Sequence, residues 1–294
     1  MTLEKTIKLN GFDEYFYPIL LGGMGPNVSS FDLCNSIGKN YGIPTLSGVF
    51  IKDFVNKRIN KKLNTINATK REIEDLKKQT GIAAINLMVV LPQFKDLLEG
   101  AVSGKANMIT VGAGISKNLP QLVNELKEKY NIKNHINIGP KVSSGRSFEM
   151  SCKLWERGKY LPDYVVIEGP KAGGHLGWNY KQTNDPNFET NFNLLTIIHD
   201  VLNVVDKYEK LYEEQTGKKK KIFVFAGGGL FDHNDLTNLL NYNFKTKSKV
   251  DGGLFGTVFT IAKESGYTNE VKNIIINSNG KRIITNEEWQ SPCG

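Results

Sequence analysis

The residues best equipped for chemistry lie together between Asp163 and Trp178, in the stretch DYVVIEGPKAGGHLGW. It opens with Tyr164, Val165, Val166 and Ile167, a β-branched run of the composition expected of a buried strand. The run breaks into Glu168-Gly169-Pro170, and after Lys171 and Ala172 come Gly173, Gly174 and His175. Two adjacent glycines let backbone approach a flat ligand closely, and the next residue brings an imidazole that changes charge near neutral pH. Such a group serves as a general base or, once protonated, as a stabiliser of an anion. Taken alone, Gly-Gly-His is equally the composition of a turn whose histidine is merely solvated or packed. Where the other motifs fall decides between the two.

Those motifs need elements to hold them, and the chain supplies a regular series. Pro18 to Leu21 is a short strand running into Gly22-Gly23-Met24-Gly25, and the helix that follows has Val28, Phe31 and Cys34 on one face, with Gly38 as its stop. Pro44 to Phe50 reads as a second strand, and the polar stretch Lys52 to Gln79 is helical around Ile73 and Leu76 until Gly81. Ile82 to Leu91 is the clearest strand, with Asn86 in its middle; Ala106 to Val111 is the fourth, ending in Gly112-Ala113-Gly114. A helix through Leu119, Leu122, Val123 and Leu126 follows, with Asn118 as cap and Pro120 in the first turn. His135 to Ile138 is a short strand ending in Gly139-Pro140-Lys141, and Ser147 to Arg157 is a helix with Phe148, Ser151, Cys152 and Trp155 on one side. The strand before His175 is the sixth. After a polar insertion (Asn179 to Asn193) a helix runs from about Thr196 to Glu214 and stops at Gly217, then strand seven (Lys221 to Phe225) reaches Ala226-Gly227-Gly228-Gly229. Leu236, Leu239 and Leu240 mark its helix, and strand eight (Lys249 to Phe255) ends in Gly256-Thr257.

About eight strand-then-helix units predict parallel strands joined by helices. The fold expected is a TIM (β/α)8 barrel, with a doubly wound open sheet as the alternative. The barrel is favoured because the unusual residues fall at C-terminal strand ends, which meet on one face of a barrel. A single domain over 1–294 is expected, with the barrel over about 17–265 and a C-terminal extension over 266–294.

Composition narrows the function classes. The chain has 294 residues, 39% hydrophobic and 23% charged, enough to bury a sizeable core. No apolar run reaches the ~18 residues of a membrane helix. The opening MTLEKTIKLNGFDEYF has no signal-peptide h-region. Cys34, Cys152 and Cys293 are far apart, which argues against a disulfide framework or structural zinc and makes the cytoplasm the expected location. The net charge of +8 gathers in runs such as Lys57-Arg58, Lys61-Lys62 and Lys218 to Lys221, without interleaved aromatics. Nucleic-acid and membrane partners are therefore not expected, and a bias toward anionic substrates or phosphate-bearing cofactors remains.

At the expected mouth, the glycine-rich ends of strands seven and eight each lead into a helix; either alone reads as a tight turn, but two in succession at the last two strands match a barrel phosphate cradle, where bare backbone N–H groups point at an anion. Gly228-Gly229 and Gly256-Thr257 fit that role, with the Thr257 hydroxyl as a further donor. Asn86 must find partners if buried, either within the core or along a polar cofactor edge. Lys141 either adds positive charge near the site or is a solvated lysine. Gly112-Ala113-Gly114 lacks the third glycine and the acid of a dinucleotide fingerprint, and Gly100 to Lys105 is one residue short of a P-loop. His135, His199 and His233 open a strand, lie on a long helix and stand near a helix start.

GGMG after strand one, INLM in strand three, GAG after four, VSSGR after five, EGPKAGGHLG after six, AGGG after seven and DGGLFGT at eight occur in this order. Together they resemble the nitronate monooxygenase (2-nitropropane dioxygenase-like) family, which is itself similar to the flavin-dependent enoyl-acyl carrier protein reductases of type II. The resemblance covers about Tyr17 to Gly294. It implies a barrel that binds FMN, with His175 as the catalytic histidine facing the flavin. Gly22, Gly23, Met24 and Asn86 would line the ring, Glu168 stands where the family often has Gln, and Gly173 and Gly174 lie on the loop against the cofactor. Lys141 joins this set, and Gly228, Gly229, Phe255, Gly256 and Thr257 would hold the phosphate; no metal is implied. The family's Gln-Met-Gly-Thr-Arg-Phe reads Leu254-Phe255-Gly256-Thr257-Val258-Phe259 here, which keeps backbone contacts and loses two side-chain contacts. Relatives run on where this sequence reads Ser291-Pro292-Cys293-Gly294, so the last segment reads as shortened.

The activity this implies is FMN-dependent oxidation of alkyl nitronates, or another small anion, by O2. The same-class alternative is an enoyl-acyl carrier protein reductase in which NAD(P)H feeds the flavin. A flavin-binding protein without this catalysis is the alternative from another class. The sequence carries no signal for the oligomeric state.

Overall fold

A computed structural model of the protein describes residues 6–174, 177, 187 and 192–278. Eight parallel strands form one sheet: β1 (Ile19–Leu21), β2 (Thr45–Ser47), β3 (Ala84–Met88), β4 (Met108–Gly112), β5 (Asn137–Val142), β6 (Tyr164–Glu168), β7 (Phe223–Gly227) and β8 (Gly252–Phe255). Each strand pairs with the next from β2 to β8, and β8 pairs back with β1 in the register Leu20 to Leu254. The seam between β1 and β2 is closed by a parallel bridge at Leu20 and Ile43. There Leu21 N–H donates to the Ile43 carbonyl at 3.0 Å and Ile43 N–H to that of Ile19 at 2.9 Å. That seam decides for the TIM barrel over the open sheet.

The helices are α1 (Phe31–Lys39), α2 (Ile51–Ile59), α3 (Thr65–Thr80), α4 (Phe94–Ser103), α5 (Leu119–Lys129), α6 (Gly145–Glu156), α7 (Leu194–Thr216), α8 (His233–Asn241), α9 (Thr257–Thr260) and α10 (Asn269–Ile276). Side-chain caps fix several starts. Ser30 Oγ accepts from Leu33 N–H, Asn193 Oδ1 from Thr196 N–H, and Asp232 and Asp235 cap α8 reciprocally. Gly81 and Gly217 close α3 and α7 in the left-handed conformation, where the sequence places both stops.

Alternation along the strands sorts the core into layers. Leu20, Ala84, Met108, Tyr164, Val166, Phe223 and Phe225 share one cluster inside the barrel. The intervening residues, Ile85, Leu87 and Ile109 on one side and Val165, Ile167 and Val224 on the other, pack against the helices in two further clusters. The N-terminal segment folds back at the floor through an antiparallel bridge between Ile7 and Phe16, and Ile7, Leu9 and Phe16 join the interior cluster as its plug.

Several boundaries differ from the sequence expectation. Gly38 lies within α1 and does not stop it, and the second strand ends at Ser47, with Phe50 left-handed ahead of a helix. Lys52 to Gln79 contains most of α2 and α3, while α4 is a further helix beyond the expected elements, with Phe94, Leu97, Leu98, Ala101 and Val102 at helical spacing on its buried face. Gly139, Pro140 and Lys141 lie inside β5, not beyond it. The insertion after strand six and the chain end beyond 278 fall almost wholly outside the described residues, as does Cys293. No described helix is long and apolar enough to cross a membrane.

Candidate active site

The C-terminal ends of the strands carry the motifs to one mouth. Gly22 N–H donates to the Phe255 carbonyl at 2.8 Å, which ties the loop after β1 to the end of β8. Ser29 holds that loop from below: its hydroxyl donates to the Gly22 carbonyl at 2.5 Å and accepts from Met24 N–H at 2.9 Å. A Cβ on Gly23 would collide with the Cβ of Asn86, so glycine there lets β1 and β3 come together. A Cβ on Gly256 would lie 3.6 Å from the Met24 sulfur, so Met24 and Gly256 are neighbours at the rim.

Asn86 is 9% exposed, on the inward-facing side of β3, and its Oδ1 has no hydrogen-bond partner among the described residues. A buried amide oxygen left unpaired is costly; Asn35, Thr45, Thr69 and Gln121 carry such atoms too, and Asn86 is the one of the five at the mouth. Across the mouth Lys141 Nζ and Glu168 Oε1 form an ion pair at 3.3 Å, with side chains 18% and 13% exposed. Both face inward by alternation with Gly139 on β5 and with Tyr164 and Val166 on β6.

The strand-seven loop has an unusual backbone. Gly228 and Gly229 both have positive φ, +109° and +100°, a conformation that side-chain-bearing residues rarely adopt. A Cβ on Gly228 would meet the Gly169 backbone at 3.0 Å, and one on Gly229 the Lys171 side chain at 3.5 Å. Lys171 thus stands beside the candidate phosphate loop; it lay unread inside the EGPKAGG motif. Gly256 precedes Thr257, the exposed first residue of the four-residue α9. The Phe255 ring points away from the mouth, into the layer between sheet and helices, against Phe259 at 6.2 Å between centroids. Its link to the site is the carbonyl that holds Gly22.

Gly173 and Gly174 are exposed, and a Cβ on either would meet nothing within 4 Å. Ser143, at the end of β5, donates through its hydroxyl to the Gly177 carbonyl at 3.1 Å and so holds the far side of that loop. His175 lies outside the described residues. Ser29 and Ser143 had no signal in the sequence, since short hydroxyl side chains bonding to backbone leave no pattern. Among the described residues no cluster of side chains could hold a metal ion.

The arrangement fits a flat polar group with an anionic tail. It offers an unpartnered amide oxygen, an open glycine loop, and a positive-φ glycine pair beside a lysine. The fold is shared with solved structures at low identity. FabK from Thermotoga maritima is 20% identical with TM-score 0.61, over 94% of this chain and 70% of that one. A nitroalkane oxidase from Streptomyces ansochromogenes is 16% identical with TM-score 0.61, over 87% and 69%. Inosine 5'-monophosphate dehydrogenase from Legionella pneumophila is 12% identical with TM-score 0.54, over 97% and 78%. No curated protein matches the sequence significantly. The nitronate monooxygenase profile matches residues 10–290, nearly the whole length that the motifs cover. The chain therefore belongs to the nitronate monooxygenase family, and it is a flavin-dependent oxidoreductase.

Proposed function

We propose that the protein is an FMN-dependent nitronate monooxygenase that oxidises alkyl nitronates with O2. The observation that carries the flavin site is the buried, unpartnered Asn86 Oδ1 at the mouth. FMN, when bound, supplies the electron acceptor, and the protein supplies binding, orientation and charge. Asn86 would hydrogen-bond a polar edge of the ring, with Gly22, Gly23 and Met24 alongside and Gly173 and Gly174 on the opposite loop. Gly228, Gly229, Gly256 and Thr257 would hold the phosphate through backbone N–H groups and the Thr257 hydroxyl, with Phe255 fixing the loop by its carbonyl. One phosphate cradle and no complete dinucleotide fingerprint favour FMN over FAD.

His175 acts on substrate. With a neutral nitroalkane it removes the α-proton; with a preformed nitronate, the protonated imidazole holds the anion's charge. Acid release of the cofactor followed by HPLC tests the binding half of this reading: FMN is expected, and colourless protein that cannot be reconstituted with FMN overturns it. Anaerobic stopped-flow with nitronate, NADH and NADPH as competing flavin reductants tests the other half, with nitronate expected to be fastest.

The second reading, an enoyl-acyl carrier protein reductase fed by NAD(P)H, has one observation in its favour. Phe50, Val90, Ile115 and Phe231 follow strands β2, β3, β4 and β7, and each remains exposed, which suits an acyl chain at the rim. Rapid reduction by NAD(P)H with turnover of a crotonyl thioester selects this reading over the first.

A further inference from the structure

The strand ends that face the barrel mouth bring one cation and one anion into contact. Lys141 lies on β5 in register with Val166 on β6, so Glu168 stands one pleat nearer the mouth. The Lys141 stem runs past Gly112 on β4, where an added Cβ would come within 3.3 Å of the Lys141 Cβ. The absence of a side chain there leaves the lysine room to turn toward β6, and its ammonium meets Glu168 at 3.3 Å. With side chains 18% and 13% exposed, the two are not a solvent-screened surface pair. Charges held this way act on whatever occupies the mouth more strongly than charges in water.

We propose that Glu168 neutralises Lys141 and that this ion pair sets the reduction potential of the bound flavin. The proposal rests on the flavin site assigned above. Two-electron reduction adds negative charge to the ring, so an unopposed ammonium nearby favours the reduced form and a carboxylate opposes it. Where the family pattern has Gln at the position of Glu168, a lysine here would act unopposed. In this chain the carboxylate cancels it, and the flavin is correspondingly harder to reduce. Glu168 is thereby a tuning residue, and its effect is distinct from the anchoring expected of Asn86 and the glycine loops.

The test uses the holoprotein and the variants Glu168→Gln, Lys141→Met and the two combined. The midpoint potential of the bound flavin is read spectroscopically against a reference dye, and FMN affinity is measured in parallel. Glu168→Gln is expected to shift the reduction equilibrium toward reduced flavin by about tenfold, roughly 30 mV for a two-electron couple. Lys141→Met should move it the opposite way, and the double variant should return near wild type, as expected for groups acting through one pair. Flavin bound in all four proteins with potentials unmoved, or both single variants moving in the same direction, overturns the pair as a tuning device and leaves the flavin site standing. Folded single variants that lose FMN make the pair an anchor and also overturn it. A wild-type protein that takes up no flavin overturns the site assignment itself, and the tuning proposal with it.

Discussion

Two buried polar residues at opposite ends of the barrel, Asp163 and Asn86, are held in opposite ways. At the floor, Asp163 is 1% exposed and both its oxygens are engaged. Oδ1 takes His135 Nε2 at 3.1 Å and Lys220 Nζ at 3.3 Å, while Oδ2 accepts from Ile138 N–H at 2.9 Å and from the Tyr160 hydroxyl. Burial alone would raise the Asp163 pKa, but the His135 hydrogen bond and the Lys220 charge hold it below the ordinary carboxylate value. At the mouth Asn86 keeps an unpartnered oxygen, two glycines take positive φ, and apolar side chains stay in water. Asn35, Thr45, Thr69 and Gln121 also carry buried polar atoms without a partner among the described residues, but Asn86 is the one of the five that stands where the glycine motifs gather.

The sharpest way to break this contrast is at His175. His175→Ala should retain FMN but lose turnover of neutral nitroalkane by about 10²–10⁴-fold, the usual worth of a positioned base, while oxidation of preformed nitronate suffers much less. Equal losses on both substrates indicate charge stabilisation instead, and kinetics indistinguishable from wild type return His175 to an ordinary turn.

The floor should fail in the other currency, stability. Asp163→Asn removes the charge that Lys220 and His135 face and should cost about 3–5 kcal/mol in urea unfolding, with the reactivity of the bound flavin unchanged. The sign of its pH dependence follows from the depressed pKa. Stability from Asp163 is fully present above the unfolded-state value of about 3.9 and is lost as pH falls through the folded-state value. The variant should therefore show a flatter acid limb; an acid limb equal to that of wild type would contradict the assignment of this network.

Gly229→Val comes next. Its Cβ has space but its φ of +100° does not suit valine, and strain of about 1–3 kcal/mol corresponds to roughly 5–150-fold weaker FMN binding. Wild-type affinity by fluorescence titration would remove the phosphate from the strand-seven loop. The smallest effect is expected at Asn86. Asn86→Ala deletes an unpaired buried oxygen, so apoprotein stability should hold or rise by up to about 1–3 kcal/mol while flavin affinity falls. A marked loss of apoprotein stability would show that Asn86 belongs to the core, as the residues of the floor do.

What the sequence disclosed follows the same divide. Eight strands were legible because apolar runs ended repeatedly in glycine, and Gly81 and Gly217 stop their helices as read. Glycine misled where it serves packing. Gly100 begins a stretch one residue short of a P-loop, yet it lies inside α4, where a Cβ would strike the Ile66 carbonyl at 2.6 Å and α3 and α4 approach closely. Gly139 reads as a strand end, yet it lies within β5 beneath the Tyr164 ring, 2.7 Å from where a Cβ would be. Helix α2 escaped notice because IKDFVNKRI is mostly polar and starts after a left-handed Phe50, not after a glycine or a capping hydroxyl. Lys141 and Glu168 were each visible alone. Their pairing depends on register between neighbouring strands, which no single strand's pattern contains.

The way the barrel closes imposes an order in time. β1 receives its partner from β8, and the floor plug of Ile7, Leu9 and Phe16 packs with Phe223 and Phe225. β1 and the plug therefore wait for strands that lie far along the chain. At about 5–20 residues per second that interval is on the order of ten seconds or more. Throughout it, the edge of β1 that β8 covers stays open, with native contacts to Ile43 and Leu33 on the other side, whereas β2 to β7 can pair successively as they emerge. Assembly of this protein in a cell thus depends less on the strength of its strands than on keeping the open edge of β1 and the plug from other company until the eighth strand arrives.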